Sequence, residues 1–263
     1  MMTEWNAAEY NRQANLQATL AEEQLARLVF EGSERVLDVG CGDGRITAEV
    51  AARVPRGNVV GVDPSRDMIA FAVEHFVTKT RPNLRFEVAD ARSLTFQRQF
   101  DRVVSFNALH WVPEQLDALR ALRAALVDGG QALLRLVPQG PRRSLEDVLE
   151  DARRSRRWAP SYAGFQTPYA HFTPEQYAEM ASRCGFRVAR LDVEDRAWDF
   201  GTRDAFAAFG RATFVEWIRR LDERDWPAFI ADVLDRYRAV ASTGPRDEYT
   251  FKFYQMEVTL DAV

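Results

Sequence analysis

The chain has 263 residues, 46% hydrophobic and 28% charged, enough to bury a substantial core in one large domain or one domain with a cap. A net charge of −4 gives no basic excess for a nucleic-acid partner, and two cysteines do not make a disulfide framework. No apolar run approaches the ~20 residues of a membrane span, the polar start does not read as a signal peptide, and the three histidines lie too far apart for a metal site; the expected location is the cytoplasm.

In chain order, Leu16, Leu20, Leu25, Leu28 and Val29 fit one face of a helix over 6–31, closed by Gly32-Ser33. Val36 to Val39 reads as a buried strand with one acid inside it, Asp38, and it runs into Gly40-Cys41-Gly42-Asp43-Gly44. A helix over 45–53 follows, stopped by Pro55-Arg56-Gly57. Val59 to Val62 is a second buried strand, ending at Asp63-Pro64-Ser65. From Asp67 a helix places Met68, Ala72 and Phe76 at i, i+4 and i+8. Leu84 to Val88 alternates as a third strand, and Phe100 to Phe106 is a fourth. Pro113 begins a helix carrying Leu116, Leu119, Leu122 and Leu126, which Asp128-Gly129-Gly130 ends. Ala132 to Val137 is a fifth strand.

Beyond residue 140 the pattern changes. A charged helix spans 144–157, and Trp158 to Phe172 is a Pro-, Gly- and aromatic-rich loop. Thr173-Pro174-Glu175-Gln176 is a capping box, and Phe186 to Val193 is a strand. Two helices fill 202–240, and the stretch Glu248 to Leu260 is β-rich.

Strands that alternate with helices predict βαβ units and a parallel sheet, with any ligand at the carboxyl ends of the strands. The glycine turn, Asp63, Asp90 and Asn107 all fall at or just past such ends, so one sheet edge gathers them. The G-x-G-x-G spacing differs from the G-x-G-x-x-G of dinucleotide enzymes. With Asp38 inside the strand it points to S-adenosylmethionine rather than NAD. On that reading Gly40, Gly42 and Gly44 let the backbone approach the methionine and ribose parts of the cofactor. Asp38 faces its cationic amino group, and Asp63 accepts the ribose hydroxyls. Asp90 and Ala91 read the adenine amino edge, and Asn107 borders the sulfonium.

Four segments carry a resemblance: Trp5-Asn6-Ala7-Ala8-Glu9-Tyr10 with Gln17, the strand and glycine turn from Val36 to Gly44, Val62-Asp63-Pro64-Ser65-Arg66-Asp67-Met68, and Ser105-Phe106-Asn107-Ala108-Leu109-His110-Trp111-Val112. Through them the chain resembles the class I S-adenosylmethionine-dependent methyltransferases, and most of all the trans-aconitate and juvenile hormone acid carboxyl methyltransferases. The tail Phe251-Lys252-Phe253-Tyr254 is similar to the juvenile hormone group. The resemblance implies a doubly wound, Rossmann-like, mostly parallel seven-stranded sheet in a single domain over 1–263. An N-terminal lid helix would occupy 1–31, a cofactor-binding core 34–137, and a helical cap over the active site 141–183 and 200–245.

The resemblance also implies that Pro64 and Met68 join the cofactor site, Met68 against adenine. Tyr10 would touch the cofactor from the lid helix. His110 and Trp111 would flank the transferred methyl, and Gln17, from the lid helix, would join His110 in donating a hydrogen bond to one oxygen of the acceptor carboxylate. The expected partner is a small-molecule acid, methylated on its carboxylate by a monomer or homodimer. Two features bear on the acid. Arg142, Arg143, Arg153 and Arg154 could hold a tricarboxylate, whereas the aromatics beyond residue 158 suit an apolar or aromatic acid. Either His110 orients the carboxylate or it acts as base on a phenol. A C- or N-methyltransferase, a fold that no longer methylates, and an NAD(P)-dependent oxidoreductase are the other readings.

Overall fold

The computed structural model describes residues 15–77 and 81–263. Among them, seven strands form one sheet: β1 Arg35–Val39, β2 Asn58–Asp63, β3 Leu84–Val88, β4 Phe100–Phe106, β5 Leu126–Leu136, β6 Phe186–Asp199 and β7 Thr250–Ala262. The spatial order is β3-β2-β1-β4-β5-β7-β6. Strands β1 to β5 pair in parallel, and β7 runs antiparallel to β5. The order reverses direction at β1 and β4, which places the topological switch beside the glycine turn.

Both faces of the sheet are covered. Leu37, Val60 and Val103 belong to one buried cluster with Leu119, Leu122 and Tyr177. Val36, Val59 and Val104 turn the other way, toward Ala48, Val50, Ile69 and Ala72. Neighbouring residues on a strand point to opposite faces, so this split is the doubly wound architecture read from packing. The helices Arg45–Arg53 and Arg66–Phe76 cover one face, and Gln115–Ala125 and Pro174–Arg183 cover the other.

The chain divides into two compact units: 1–138 with 169–193 and 256–263, and 139–168 with 194–255. In the second, the helices Leu145–Arg154, Arg203–Thr213 and Trp226–Ala241 surround a dense aromatic core. Trp158 meets Phe229 edge-on at 5.3 Å, Phe206 meets Tyr237 edge-on at 6.0 Å, and Tyr162 donates its hydroxyl to the Trp217 carbonyl at 3.0 Å. The helix Pro174–Arg183 belongs to the first unit, which differs from a cap boundary at 183. Its buried Tyr177 and Ala181 complete the hydrophobic cluster of the sheet.

The helix expected over 6–31 ends at Arg27, and its stretch 6–14 lies outside the described residues. Other elements depart from the pattern of the sequence. Strand β5 starts at Leu126, not Ala132, although Asp128-Gly129-Gly130 reads as a stop. Phe100 pairs with Leu126 and Arg102 with Gln131, so the extra β5 residues bulge out with Gly129 at φ 72°. Strand β6 continues past Val193 to Asp199, and the loop after Trp158 contains a 3-10 turn at Ala159–Tyr162. The capping box at Thr173 forms as its sequence predicts, with both reciprocal bonds to Gln176.

The helix Asn15–Arg27 is fastened to the sheet by a buried cation. Arg135 on β5 is 1% exposed, donates to the Leu20 carbonyl at 3.1 Å, and faces Glu23 and Glu257 at 3.5 and 3.6 Å. Its backbone carbonyl accepts the Asn107 N–H at 2.8 Å, so the same residue anchors the carboxyl end of β4.

Candidate cofactor and methyl-transfer site

Strand register brings the sequence-predicted residues to one edge. Val39 pairs with Val62, Asp63 with Val88, and Phe106 with Arg135, so the carboxyl ends of β1 to β5 lie side by side. The turn after β1 is stitched to β2, because Gly40 and Cys41 both donate to the Val62 carbonyl, at 2.8 and 3.0 Å.

Two of its glycines do different work. A Cβ on Gly40 would lie 2.1 Å from the Ala108 Cβ, so its missing side chain is what lets the turn after β4 close against the turn after β1. A Cβ on Gly42 would meet nothing within 4 Å, although φ is 52°. Open space over a half-buried stretch of backbone is where a ligand can come close. Gly40→Ala should therefore lower folding stability by about 2 kcal/mol or more, read by urea denaturation. Gly42→Ala should cost stability less than Gly40→Ala and weaken nucleoside binding more, read by calorimetry.

Asp38 is 2% exposed and its Oδ2 accepts the Thr47 hydroxyl at 2.6 Å. Burial raises its carboxyl to about 7 against the pull of the Thr47 bond, with the Asp63 charge adding to the rise. Thr47 is a residue the sequence reading missed. It lies in the first turn of the helix that the glycine turn starts, which was the available signal. Asp63 is 8% exposed, accepts the Gly42 N–H at 3.0 Å through Oδ2 and the Ser65 N–H at 2.9 Å through Oδ1. It ties the glycine turn to the end of β2. Two buried acids at one strand edge favour a cationic ligand.

The next corner holds Pro64, with Ser65 capping the helix by accepting the Met68 N–H at 3.3 Å. Met68 is 3% exposed and Ala91 is buried. Asp90 caps a 3-10 turn and pairs bidentately with Arg92, at 2.6 Å for the shortest contact. The Arg92 hydrogen bonds hold its carboxyl below the usual range. Asp90 thus has a structural task that the adenine reading did not foresee.

Asn107 stands at φ 55°, a left-handed conformation costly for most residues and best tolerated by Asn and Asp among those with side chains. It turns the chain from β4 into the 3-10 turn Leu109–Trp111, which carries His110 and Trp111. His110 is 4% exposed, and the Val137 N–H donates to its Nδ1 at 3.4 Å. Burial, and secondarily His171, pull its pKa down to about 3. The ring is therefore neutral with its proton on Nε2, a hydrogen-bond donor and a poor base. The Trp111 ring lies 5.3 Å from it.

Gln115, also missed by sequence reasoning, braces this turn. Its Nε2 donates to the Leu109 and Val112 carbonyls, the latter at 2.6 Å. Nothing in a single Gln before a leucine-rich helix marks that role. Gln115→Ala would leave two carbonyls without this donor, and we expect a stability loss of about 1–3 kcal/mol, seen as a lower melting temperature. Tyr10 lies outside the described residues. Gln17 sits on the helix Asn15–Arg27, and its side chain is also outside the description.

The cationic candidates for a tricarboxylate are engaged within the second unit. Arg142 pairs bidentately with Asp195 at 2.6 Å, Arg143 with Asp151 at 2.6 Å, and Arg153 and Arg154 both with Glu150, at 2.6 and 2.9 Å. Burial raises the Glu150 carboxyl, but donors from Arg153, Trp217 and Thr167 outweigh it and hold the pKa low. The aromatics at 158, 162, 206, 209, 214 and 217 are likewise committed, since each is buried in that unit's core.

Comparison with known proteins identifies the family. Residues 36–130 match a family model described as a methyltransferase domain. The chain is 30% identical to a trans-aconitate 2-methyltransferase of Methylobacterium radiotolerans over 93% of this chain and 92% of that one. It is 32% identical to another protein of that name from Methylobacterium nodulans, over 90% and 89% of the two chains. Among solved structures, a phosphoethanolamine N-methyltransferase of Haemonchus contortus bound to S-adenosyl-L-methionine superposes with a TM-score of 0.63. That likeness has 16% identity and covers 98% of this chain and 57% of that one.

Proposed function

This chain belongs to the trans-aconitate 2-methyltransferase group of class I S-adenosylmethionine-dependent methyltransferases, and from that premise we propose that it methylates the carboxylate of a small-molecule acid with an apolar or aromatic body. The enzyme is a methyltransferase and its cofactor is S-adenosylmethionine. The residues present fit that cofactor: the space above Gly42 admits it, Asp38 with Thr47 would meet its ammonium, and Asp63 would meet its ribose. When bound, the cofactor supplies an electrophilic methyl whose sulfur leaves with the bonding electrons.

The state of His110 carries the choice of acceptor. A carboxylate, with a pKa near ~4, is already ionised at neutral pH and needs no base. A phenol, with a pKa near ~10, must lose a proton, and a buried neutral imidazole whose pKa is pulled down to about 3 is ill suited to take it. His110 instead donates from Nε2 to one carboxylate oxygen and aims the other at the methyl. Orientation of this kind is worth roughly 7–11 kcal/mol of barrier in well-aligned systems.

The body of the acid follows from the surroundings. A tricarboxylate needs several cations, and the four candidate arginines Arg142, Arg143, Arg153 and Arg154 each hold a carboxylate of the protein. In the first unit, Trp111, His110, His171 and Tyr169 stand in a row, with successive ring centroids 5.3, 6.2 and 4.7 Å apart. These rings, not the buried aromatics of the second unit, support an apolar or aromatic acid.

Methyl-labelled cofactor with hexanoate, phenylacetate and trans-aconitate tests the proposal. Label released by mild alkali from either of the first two marks a methyl ester and supports it. Alkali-stable label excludes a carboxylate acceptor. Turnover of trans-aconitate alone would overturn the apolar body while keeping the carboxylate.

A further inference from the structure

His171 was one of three scattered histidines in the sequence, and the structure brings it to within 6.2 Å of His110, ring centre to ring centre. Its Nε2 is buried and has no hydrogen-bond partner among the described residues. Buried imidazole nitrogens are nearly always paired, because leaving one unpaired forfeits its hydration with nothing in return.

The position of His171 is held from both sides. Just before it, the Ala170 N–H donates to the His110 carbonyl at 2.9 Å, tying this loop to the turn that presents His110. Just after it, Phe172 packs on the core of the first unit, and Thr173 is fixed by its reciprocal bonds with Gln176. The Tyr169 ring lies against the imidazole at 4.7 Å. A polar atom with no partner, on a loop anchored to the methyl-transfer turn, is placed for a ligand that arrives at that turn.

We propose that His171 is a second hydrogen-bonding residue of the acceptor site, meeting the substrate carboxylate beside His110, an inference that rests on the carboxylate reading above. The carboxylate oxygen that His110 holds has a second lone pair, which the unpartnered His171 Nε2 would meet as a donor while the other oxygen is left to face the methyl.

The test uses the full chain with hexanoate, phenylacetate and trans-aconitate as acid probes. His171→Ala should raise the KM for the accepted acid about tenfold or more and leave the S-adenosylhomocysteine Kd within about twofold. His171→Asn, which keeps a donor, should recover part of that loss. Wild-type protein labelled with nitrogen-15 histidine and saturated with S-adenosylhomocysteine provides a readout that does not depend on any variant's catalysis. There the His171 Nε2 resonance, assigned by its absence in His171→Asn, should move as acid is added. An unmoved His171 resonance while acid binds, or an unchanged KM in a folded His171→Ala, overturns the proposal and leaves the carboxylate reading standing. A parallel loss of S-adenosylhomocysteine affinity also overturns it, because the residue would then be shaping the cofactor site. If the wild-type chain forms no alkali-labile product from any acid, the carboxylate reading falls and this inference falls with it.

Discussion

Asp38→Asn should weaken S-adenosylhomocysteine binding about ten- to a hundredfold and yet make the ligand-free protein more stable above pH 7. Both effects come from one buried carboxyl. Burial and the nearby Asp63 raise it to about 7 in the folded chain, against 3.8 when exposed. Between those values the folded state holds a proton that the unfolded state has lost. Stability therefore falls as pH rises through that window, by an amount on the order of a few kcal/mol at pH 8. An asparagine carries no charge to desolvate, still accepts the Thr47 hydroxyl, and escapes the loss. The ligand's ammonium reverses the balance in the native protein, since a charge-assisted bond to the ionised acid contributes about 1.5–3 kcal/mol. Binding by the native chain should accordingly weaken below pH 7, and binding by the Asn variant should be flat. Calorimetry and urea denaturation at pH 5 and pH 8 read both effects. Equal affinity in the two proteins, or a less stable Asn variant at pH 8, would remove Asp38 from the cofactor site.

His110→Ala should lower kcat about a hundredfold while S-adenosylhomocysteine binding stays near normal, and His110→Asn should lose less because its amide still donates. The loss is one of aim: without the Nε2 donor the carboxylate samples orientations that do not face the methyl. The pH profile separates this role from base catalysis. With its pKa pulled down to about 3, His110 stays neutral from pH 5 to pH 9. At saturating cofactor, with Asp38 held ionised by the ligand, kcat should be level across that range. A limb near pH 6.5 that vanishes in His110→Ala would show a proton being taken by the imidazole and would falsify the orienting role.

Much of the candidate cofactor edge was legible in the linear sequence because its parts are local. An apolar strand that ends in alternating glycines, an acid that follows the next strand, and an Asn after the fourth are each short-range signals. The sheet merely aligns their ends. The partners of those residues were not legible. Thr47 supports Asp38 across the helix that follows the turn, and Gln115 braces the His110 turn from the next helix. Both bonds depend on how a helix rolls onto the sheet, which no local pattern records. The stop signal at Asp128-Gly129-Gly130 misled for a related reason. Pairing with β4 draws Leu126 into the sheet and lets the glycines bulge, so tertiary contact overrode turn propensity.

The acceptor side divides in the same way. Aromatic and arginine content beyond residue 140 supports two opposite substrates, and composition cannot choose between them. In three dimensions the arginines hold Asp195, Asp151 and Glu150, and the aromatics fill a core. His171, unremarkable in sequence, comes to rest beside His110.

The sequence by itself determined the fold class, the cofactor and the order of residues along the carboxyl edge of the sheet, because hydrophobic periodicity and glycine spacing are properties of contiguous residues. Only the tertiary structure decided which charged and aromatic side chains are engaged with each other, and which buried polar atoms have no partner among the described residues. Pairing of that kind is a property of distance in space, and burial sets both the charge state of Asp38 and that of His110.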